Sequence, residues 1–391
     1  MSKKTDPFLF FTSTTEIPTK DWKHVVGTSN LFLSLPYLEA LSEALHKDLQ
    51  WIYVLVYLDT TPIVAGVFQI ASFTYKKGAQ THVVLKLFQD CKNKDDSVSI
   101  QGLVGGNIFA TGTNGFAHSK EVRFKAAVEL MASAAKQLRK MKKYEDAFSI
   151  QLLKDFDADS ASQLSMLEDF KYRSFQADVT MVLPLHKNWQ TFQQYLESMK
   201  AKYRTKANSA LKKASAVALV SLSASEIEQH QDTLLRLFNN VQQQSNYSYG
   251  ETYPKAFKAL KKNLGNAFIC RGAFLNETLI GFSTAFINGT TLEASYVGLD
   301  YNYNASYALY ERLLYKYVEE AIQQKMKVLH LGRTSELIKS ALGATPHSMT
   351  LYAKHTSKFK NVLLKPILEN ISPSEFELRK PFKANFYKEN T

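Results

Sequence analysis

The sequence predicts an α/β protein with mixed sheets, built from two similar units in tandem. The chain has 391 residues, more than one ordinary hydrophobic core accommodates and enough for two domains. Hydrophobic residues make up 45% of the chain and charged residues 21%, as in globular proteins. The third observation is that one order of helices and strands occurs twice along the chain.

The first occurrence begins with a helix over 35–46. Apolar runs separated by turn residues then predict a β-hairpin, followed by further strands and a long helix. The predicted elements are hairpin strands at 51–57 and 62–73, strands at 81–88 and 97–104, a Gly-rich loop at 105–115, a helix at 120–142 and a strand at 148–152.

The second occurrence has the same order, and Gly281 takes the hairpin position of Gly66. Its predicted elements are a helix at 226–243, hairpin strands at 268–273 and 278–286, a strand at 291–299, a loop at 300–304, a helix at 305–324 and a strand at 328–331. Two such units form mixed sheets with helices packed against them.

These patterns predict three parts of the chain. Residues 1–175 form an N-terminal domain that we expect to be structural, and 176–365 form a C-terminal domain with the active site. A long basic helix at 189–213 lies at their junction. The last part, 366–391, is predicted to be a polar, loosely docked tail.

The formal net charge is +12, and part of this excess is local. Six lysine and arginine residues lie within 200–213. A basic surface attracts nucleic acid, anionic headgroups or the phosphates of a nucleotide-bearing cofactor. The same residues also fit a solvated helix face without a partner.

Some classes of protein are not supported. Cys91 and Cys270 are too far apart to form a metal motif or a disulfide framework, so we expect no metal. No stretch approaches the roughly 20 apolar residues of a membrane span, and the first residues lack a signal-peptide pattern. We therefore expect a cytoplasmic protein.

Three stretches carry a resemblance to a known family: TMVLPL with the basic MKAKYRTKANSALKKA, then ASYVGLDYNYNASYALYERLLYKYVEEAIQQKM, and last VLHLGRTSELIKSALGA. In these stretches and in its layout, the chain resembles the FemAB-like branch of the GNAT acyltransferase superfamily. The resemblance implies tandem GNAT-like domains and transfer of an acyl or aminoacyl group onto an amine. GNAT enzymes that use acyl-CoA usually have a Gly-rich turn where this chain has Tyr301-Asn302-Tyr303-Asn304-Ala305-Ser306.

The donor site is predicted where the strand ending at Leu299 leads into the next helix. Unpaired N–H groups at a helix start bind phosphate or carboxylate. Asn304 is a suitable N-cap, and the small Ala305 and Ser306 allow close approach. Arg333 and Lys339, after the last strand of the unit, add positive charge. The alternative is a capped helix that binds no ligand.

The catalytic candidates are Glu293, Tyr296, Tyr307 and Tyr310. Acyl transfer to an amine needs a base for the ammonium proton and a proton donor for the leaving group. Glu293, in the middle of an apolar strand, fits the base, and one of the three tyrosines fits the acid. Alternatively, Glu293 is an edge carboxylate bonded to a lysine, and the tyrosines are packed aromatics.

Two further pairs are predicted to bind the acceptor. Tyr249 and Glu251 lie in a tyrosine-rich loop, where they line an acceptor pocket or belong to an ordinary surface loop. Tyr203 and Arg204 lie on the basic helix, where they hold an anionic acceptor or tRNA phosphates, or belong to a solvated face.

The sequence thus predicts an N-acyltransferase that works by direct amine attack, without a covalent enzyme intermediate. The donor is acyl-CoA or an acyl carrier protein, and the acceptor is a small-molecule or lipid-like amine, with possible contact to an anionic membrane. Two alternatives stay open. One is an aminoacyl-tRNA-dependent enzyme with a peptidoglycan-type acceptor, and the other is a GNAT-fold binding protein without catalysis.

Overall fold

A computed structural model describes residues 7–28, 30–75, 91–92, 98–244, 247–248, 253–369, 371, 373 and 375–388. The predicted strand at 81–88 and the acceptor candidates Tyr249 and Glu251 lie outside the described residues. Within the described part of the chain, no helix is both long and apolar enough to cross a membrane.

The described strands are β1 Phe8–Phe11, β2 Gln50–Leu58, β3 Thr61–Tyr75, β4 Cys91–Lys92, β5 Val98–Gly105, β6 Phe116–His118, β7 Ile150–Phe156, β8 Arg173–Phe175, β9 Val179–Pro184, β10 Val217–Ser221, β11 Tyr247–Ser248, β12 Phe268–Leu275, β13 Thr278–Asn288, β14 Thr291–Leu299, β15 Val328–His330, β16 Thr345–Ser348 and β17 Thr350–His355.

The described α-helices are α1 Thr19–Val26, α2 Leu35–Ala44, α3 Phe124–Lys140, α4 Ala158–Ser162, α5 Phe192–Ser198, α6 Ala201–Lys213, α7 Ala224–Gln229, α8 Gln231–Gln242, α9 Phe257–Leu264, α10 Tyr301–Tyr307, α11 Leu309–Gln323, α12 Glu336–Ala341, α13 Lys358–Leu368 and α14 Ala384–Lys388. Short 3-10 helices join several of them.

The first compact unit comprises 1–177, 245–250 and 348–373. Its main sheet has the order β1-β2-β3-β5-β7-β17-β8, in which β5 and β7 are parallel. The long helix α3 covers the hairpin β2–β3 with Ala127, Met131 and Leu138.

The second unit comprises 178–244, 251–347 and 374–391. Its sheet has the order β10-β12-β13-β14-β15-β9-β16, and β14 and β15 form a parallel pair. The helices α5, α6 and α11 contribute to the core on one face of this sheet. On the other face, α8 and α9 pack through Phe238 and Phe257.

The repeat predicted from the sequence is confirmed by how two glycines pack. A Cβ at Gly66 would lie 2.4 Å from the sulfur of Met131 on α3. A Cβ at Gly281 would lie 3.1 Å from Leu309 on α11. In each unit a glycine thus lets the long helix approach the hairpin closely, and the mixed α/β class with tandem units is correct.

Three predicted helices are each divided in the structure. The helix predicted over 226–243 is α7 and α8, which meet at His230. The basic helix predicted over 189–213 is α5 and α6, because Met199 and Lys200 are extended and Met199 pairs with Phe382. The helix predicted over 305–324 is α10 and α11, because Ala308 adopts a left-handed conformation between them.

The C-terminal part of the chain differs from the predicted loose polar tail. Residues 348–365, expected in the second domain, belong to the first unit because β17 pairs with β7 and β8. Phe382 is fully buried in the second unit, with its ring 5.2 Å from that of Trp189 and 4.2 Å from that of Phe386.

Candidate active site

Strands β14 and β15 separate after a short pairing. Thr291, Leu292 and Glu293 pair with residues 328–330, and there the parallel register ends. The chain after His330 keeps only its pairing with β9, since Leu331 N–H donates to Met181 O and Met181 N–H donates to Gly332 O. We call the gap between residues 294–299 of β14 and the chain after His330 the wedge.

Backbone groups of β14 point into the wedge. Asp300 N–H donates to Ile280 O on β13 at 2.9 Å, so by strand alternation the backbone groups of Leu299 and Val297 face the opposite edge. Leu299 O accepts from the Asn240 side chain at 3.0 Å. The groups of Val297 are therefore placed to pair with an extended ligand, as an added strand would.

A β-bulge at the centre of β14 changes which side chains share a face. Ser283 is opposite Val297 but Ala285 is opposite Ala294, so Thr284 is opposite two residues. The Thr284 hydroxyl fills the bulge, accepting from Tyr296 N–H at 3.0 Å. Without the bulge, alternation along β14 would place the side chains of Glu293 and Tyr296 on opposite faces of the sheet. With the bulge, both side chains lie on the face that α8 and α9 cover.

Glu293 and His330 meet where the wedge begins. Parallel pairing aligns these two residues, and His330 Nδ1 lies 2.9 Å from Glu293 Oε2. The His330 side chain is 27% exposed and the Glu293 side chain is 14% exposed. Partial burial and then the charge of His330 lower the pKa of His347. The side chain next to Glu293 is thus a histidine rather than the lysine considered from the sequence, and the contact is one of distance, since His330 Nδ1 makes no hydrogen bond of good geometry within the described residues.

The three candidate tyrosines have different environments. The ring of Tyr296 packs 5.4 Å from that of Phe238 and 4.7 Å from that of Tyr253, within the aromatic core. Tyr307 lies on α10, with its ring 6.3 Å from that of Tyr303. These contacts hold both rings by packing.

Tyr310 lies in the first turn of α11. Burial raises the pKa of Tyr310, and the facing Ser335 side chain opposes this shift. The phenol therefore keeps its proton at neutral pH and can donate it. Ser335 follows β15, on one side of the wedge, and Tyr310 follows β14, on the other side. Because these two side chains face each other, the Tyr310 hydroxyl lies where the two chains meet.

The helix start predicted to bind the donor has a different geometry. Asp300, rather than Asn304, caps α10, by accepting from Asn302 N–H. Asn304 Oδ1 instead accepts from Tyr310 N–H at 2.9 Å and so caps α11. Ala305 and Ser306 are exposed on α10.

Two features at the start of α11 disfavour binding of the diphosphate of coenzyme A. One of the helix's donors, Tyr310 N–H, is already bonded to a side chain. Glu311, in the first turn of α11, adds negative charge where an anion would lie.

Arg333 and Lys339 lie on the other side of the wedge. Arg333 Nη1 is 3.8 Å from Asp178 Oδ2. Lys339 is 4% exposed, and its ammonium group donates to Arg333 O at 2.5 Å. Burial lowers the pKa of Lys339 to about 7. Lys339 thus supports the backbone of the loop that carries Arg333.

The basic helix α6 packs against α10 and α11. Tyr203 is half-buried against the core of the unit, and Arg204 is half-exposed. Lysines 202, 206, 212 and 213 are exposed. Within the described residues, none of these cations forms an ion pair, and no group of three or more metal-ligating side chains occurs.

Comparison with known proteins agrees with this geometry. The model of the acetyltransferase (GNAT) domain family matches residues 201–344, which contain β14, the wedge and β15. No curated protein matches the sequence. The crystal structure of FemX is similar with a TM-score of 0.56 at 11% identity, covering 91% of this chain and 99% of that one.

A tandem GNAT protein from the clavulanic acid biosynthesis pathway is also similar in structure. Its TM-score is 0.52 at 9% identity, covering 90% of this chain and 99% of that one. The fold and the domain match identify the protein as an acyltransferase. The chain thus contains a GNAT acetyltransferase domain over residues 201–344, and its fold is similar to that of FemX and of a tandem GNAT protein.

Proposed function

We propose that the chain is an N-acyltransferase in which Glu293 is the base for an acceptor amine. The observation that carries this proposal is the pair of Glu293 and His330, 2.9 Å apart at the start of the wedge. A carboxylate beside an imidazole can take the ammonium proton and pass it on, while the neutral amine attacks the acyl carbon directly.

The other groups fit the remaining needs of the reaction. The N–H and C=O of Val297 pair with an extended donor arm along β14. Tyr310, which holds its proton at neutral pH, supplies a proton to the leaving group. Arg333, on the loop that Lys339 supports, holds an anionic part of a substrate on the far side of the wedge.

The donor in this proposal is an acyl thioester, carried by coenzyme A or by an acyl carrier protein. Two observations favour the carrier protein. The start of α11 disfavours a diphosphate, and the unpaired basic face of α6 beside it complements an acidic protein. The acceptor is a small-molecule or lipid-like primary amine.

The same basic face favours a second candidate, an aminoacyl-tRNA donor. Six cations without an acidic residue over 200–213 also complement a phosphate backbone. The half-exposed rings of Tyr303 and Tyr307, on the adjacent α10, can stack on unpaired bases.

The test is thiol release by the full-length protein from acyl-CoA and from acyl carrier protein, with pooled primary amines. We expect release that depends on the amine and is faster from the carrier protein. Amine-dependent transfer only from aminoacyl-tRNA, abolished by RNase, would establish the second candidate. No transfer from any of the three donors would contradict the proposed function.

A further inference from the structure

Helix α13 of the first unit exposes two large apolar side chains on one face. Phe359 is 75% exposed and Val362 is 68% exposed. Residues three apart are neighbours on a helix surface, so the two form one patch. The half-buried Leu363 and the exposed Pro366 extend this patch along the helix. Leu58 is another highly exposed apolar side chain, at 64%, but it lies at a hairpin turn.

The opposite face fixes the orientation of α13. Asn361, Leu364 and Leu368 are buried. Asn361 Oδ1 accepts from His355 N–H at 2.7 Å, and its amide group donates to Lys171 O at 3.0 Å. The patch therefore faces outward because the other side of the helix is bonded to the body of the unit.

The charged side chains of α13 itself are all lysines. From 346 to 368 the chain contains four lysines and no aspartate or glutamate. Lys358 and Lys365 are exposed beside the patch. Glu369, just after the helix, is 3.7 Å from Lys365, and both side chains are at least 59% exposed, so this pair is weak. An apolar helix face bordered by lysines is typical of helices that lie in a membrane interface.

We propose that α13 docks on the surface of an anionic lipid bilayer. Phe359 and Val362 enter the boundary between headgroups and acyl chains, and Lys358 and Lys365 contact the lipid phosphates. A protein partner fits less well. Two side chains offer roughly 200–300 Å² of apolar surface, whereas a stable protein interface buries about 800 Å² per partner. This docking brings the enzyme to a membrane whatever its donor and acceptor are.

The test is sedimentation of the full-length protein with vesicles. One set contains phosphatidylcholine alone, and the other also contains phosphatidylglycerol. We expect binding to the second set only, weakening as salt is added. The double variant Phe359→Ser/Val362→Ser should bind at least about tenfold more weakly, from the apolar burial lost. Leu58→Ser, which removes an equally exposed apolar side chain in the same unit, should bind as the unmodified protein does.

A charge series separates docking from non-specific attraction. Each of Lys358→Gln and Lys365→Gln should weaken vesicle binding about fivefold, and Lys140→Gln on α3 should leave it unchanged. Equal binding by the double variant and the unmodified protein, or no binding to either vesicle set, overturns the proposal. A dimer that dissociates in the double variant, seen by sedimentation velocity, assigns the patch to a second copy instead and also overturns it.

Discussion

Asn304 connects the two helices that follow β14. Its side-chain oxygen accepts from the N–H of Tyr310, the second residue of α11, at 2.9 Å. Ala308, at the N-cap position of α11, is left-handed and has no side-chain oxygen. The cap is therefore supplied from the preceding helix, and it occupies a donor that an anionic ligand would otherwise use.

Replacing this cap should weaken the fold. We expect Asn304→Ala to lower the free energy of unfolding by about 1 kcal/mol, the usual value of a lost N-cap. Urea denaturation measures this change. Asn302→Ala, which alters an exposed asparagine on the same helix, is the control and should have little effect. An equal loss in both variants would show that Asn304 does not act as a cap.

Lys339 is a second residue whose position affects stability. Its ammonium group is almost fully buried, and burial lowers its pKa from 10.5 to about 7. The unfolded chain therefore binds a proton that the folded chain lacks between these two pH values. The free energy of unfolding should fall as the pH falls through this window and stay level below it.

Substitution of Lys339 should remove this pH dependence. The Lys339 contribution has a maximum slope of about 1.4 kcal/mol per pH unit. Lys339→Met should lack this slope and unfold at higher urea than the unmodified protein at pH 7. Lys262→Met, at an exposed site, is the control. A slope retained in Lys339→Met would mean that the ammonium group is not the titrating group.

At the scale of elements, the order of helices and strands was predictable because it follows from local apolar periodicity and turn residues. The breaks at Met199 and Ala308 were not, because the first depends on a contact distant in sequence and the second on a side-chain cap supplied across the break. Met199 is extended to pair with Phe382, and Ala308 is left-handed between two helices linked by Asn304 and Tyr310. Residues 199–201 and 307–309 contain no proline or glycine that would indicate a break.

The site was predictable to a similar degree. Glu293 was noticed as a carboxylate in an apolar strand, but its partner His330 depends on the parallel register of β14 and β15. The bulge at Thr284 has no sequence signature, so alternation alone placed Tyr296 on the wrong face. The roles proposed for these residues stay predictions until they are tested.

The glycine that lets α11 approach the hairpin gives a prediction for this element. A Cβ at Gly281 would lie 3.1 Å from Leu309 and 3.2 Å from the carbonyl oxygen of Gly298. Gly281→Ala should lower the free energy of unfolding by about 1–3 kcal/mol through overpacking. Gly66→Ala should cost less, because its closest contact is the flexible end of Met131. Urea denaturation compares the two, and a larger loss at Gly66 would contradict this reasoning.

At the scale of the whole molecule, the two units are interleaved along the chain. After the second unit has formed its sheet, the chain returns to the first unit as β17, which lies between β7 and β8. The last residues then belong to the second unit through Phe382. Neither unit is therefore one continuous segment.

This interleaving predicts how truncation affects the first unit. A chain that ends after His347 lacks β17 and should lose amide-exchange protection in β7 and β8. A chain that ends after Pro373 keeps β17 and should retain this protection, although it lacks Phe382. Hydrogen exchange followed by mass spectrometry measures both. Full protection of β7 in the shorter chain would show that β17 is dispensable for that sheet.

The central claim is that the pair of Glu293 and His330 serves proton transfer from an acceptor amine. The most direct measurement is kcat for amine acylation by Glu293→Gln in the full-length protein, with urea denaturation as the check of folding. Removal of a general base should lower kcat by about 10²–10⁴-fold. Glu277→Gln, at an exposed turn of the same unit, should retain the rate of the unmodified protein. An unchanged kcat in a folded Glu293→Gln protein would contradict the account.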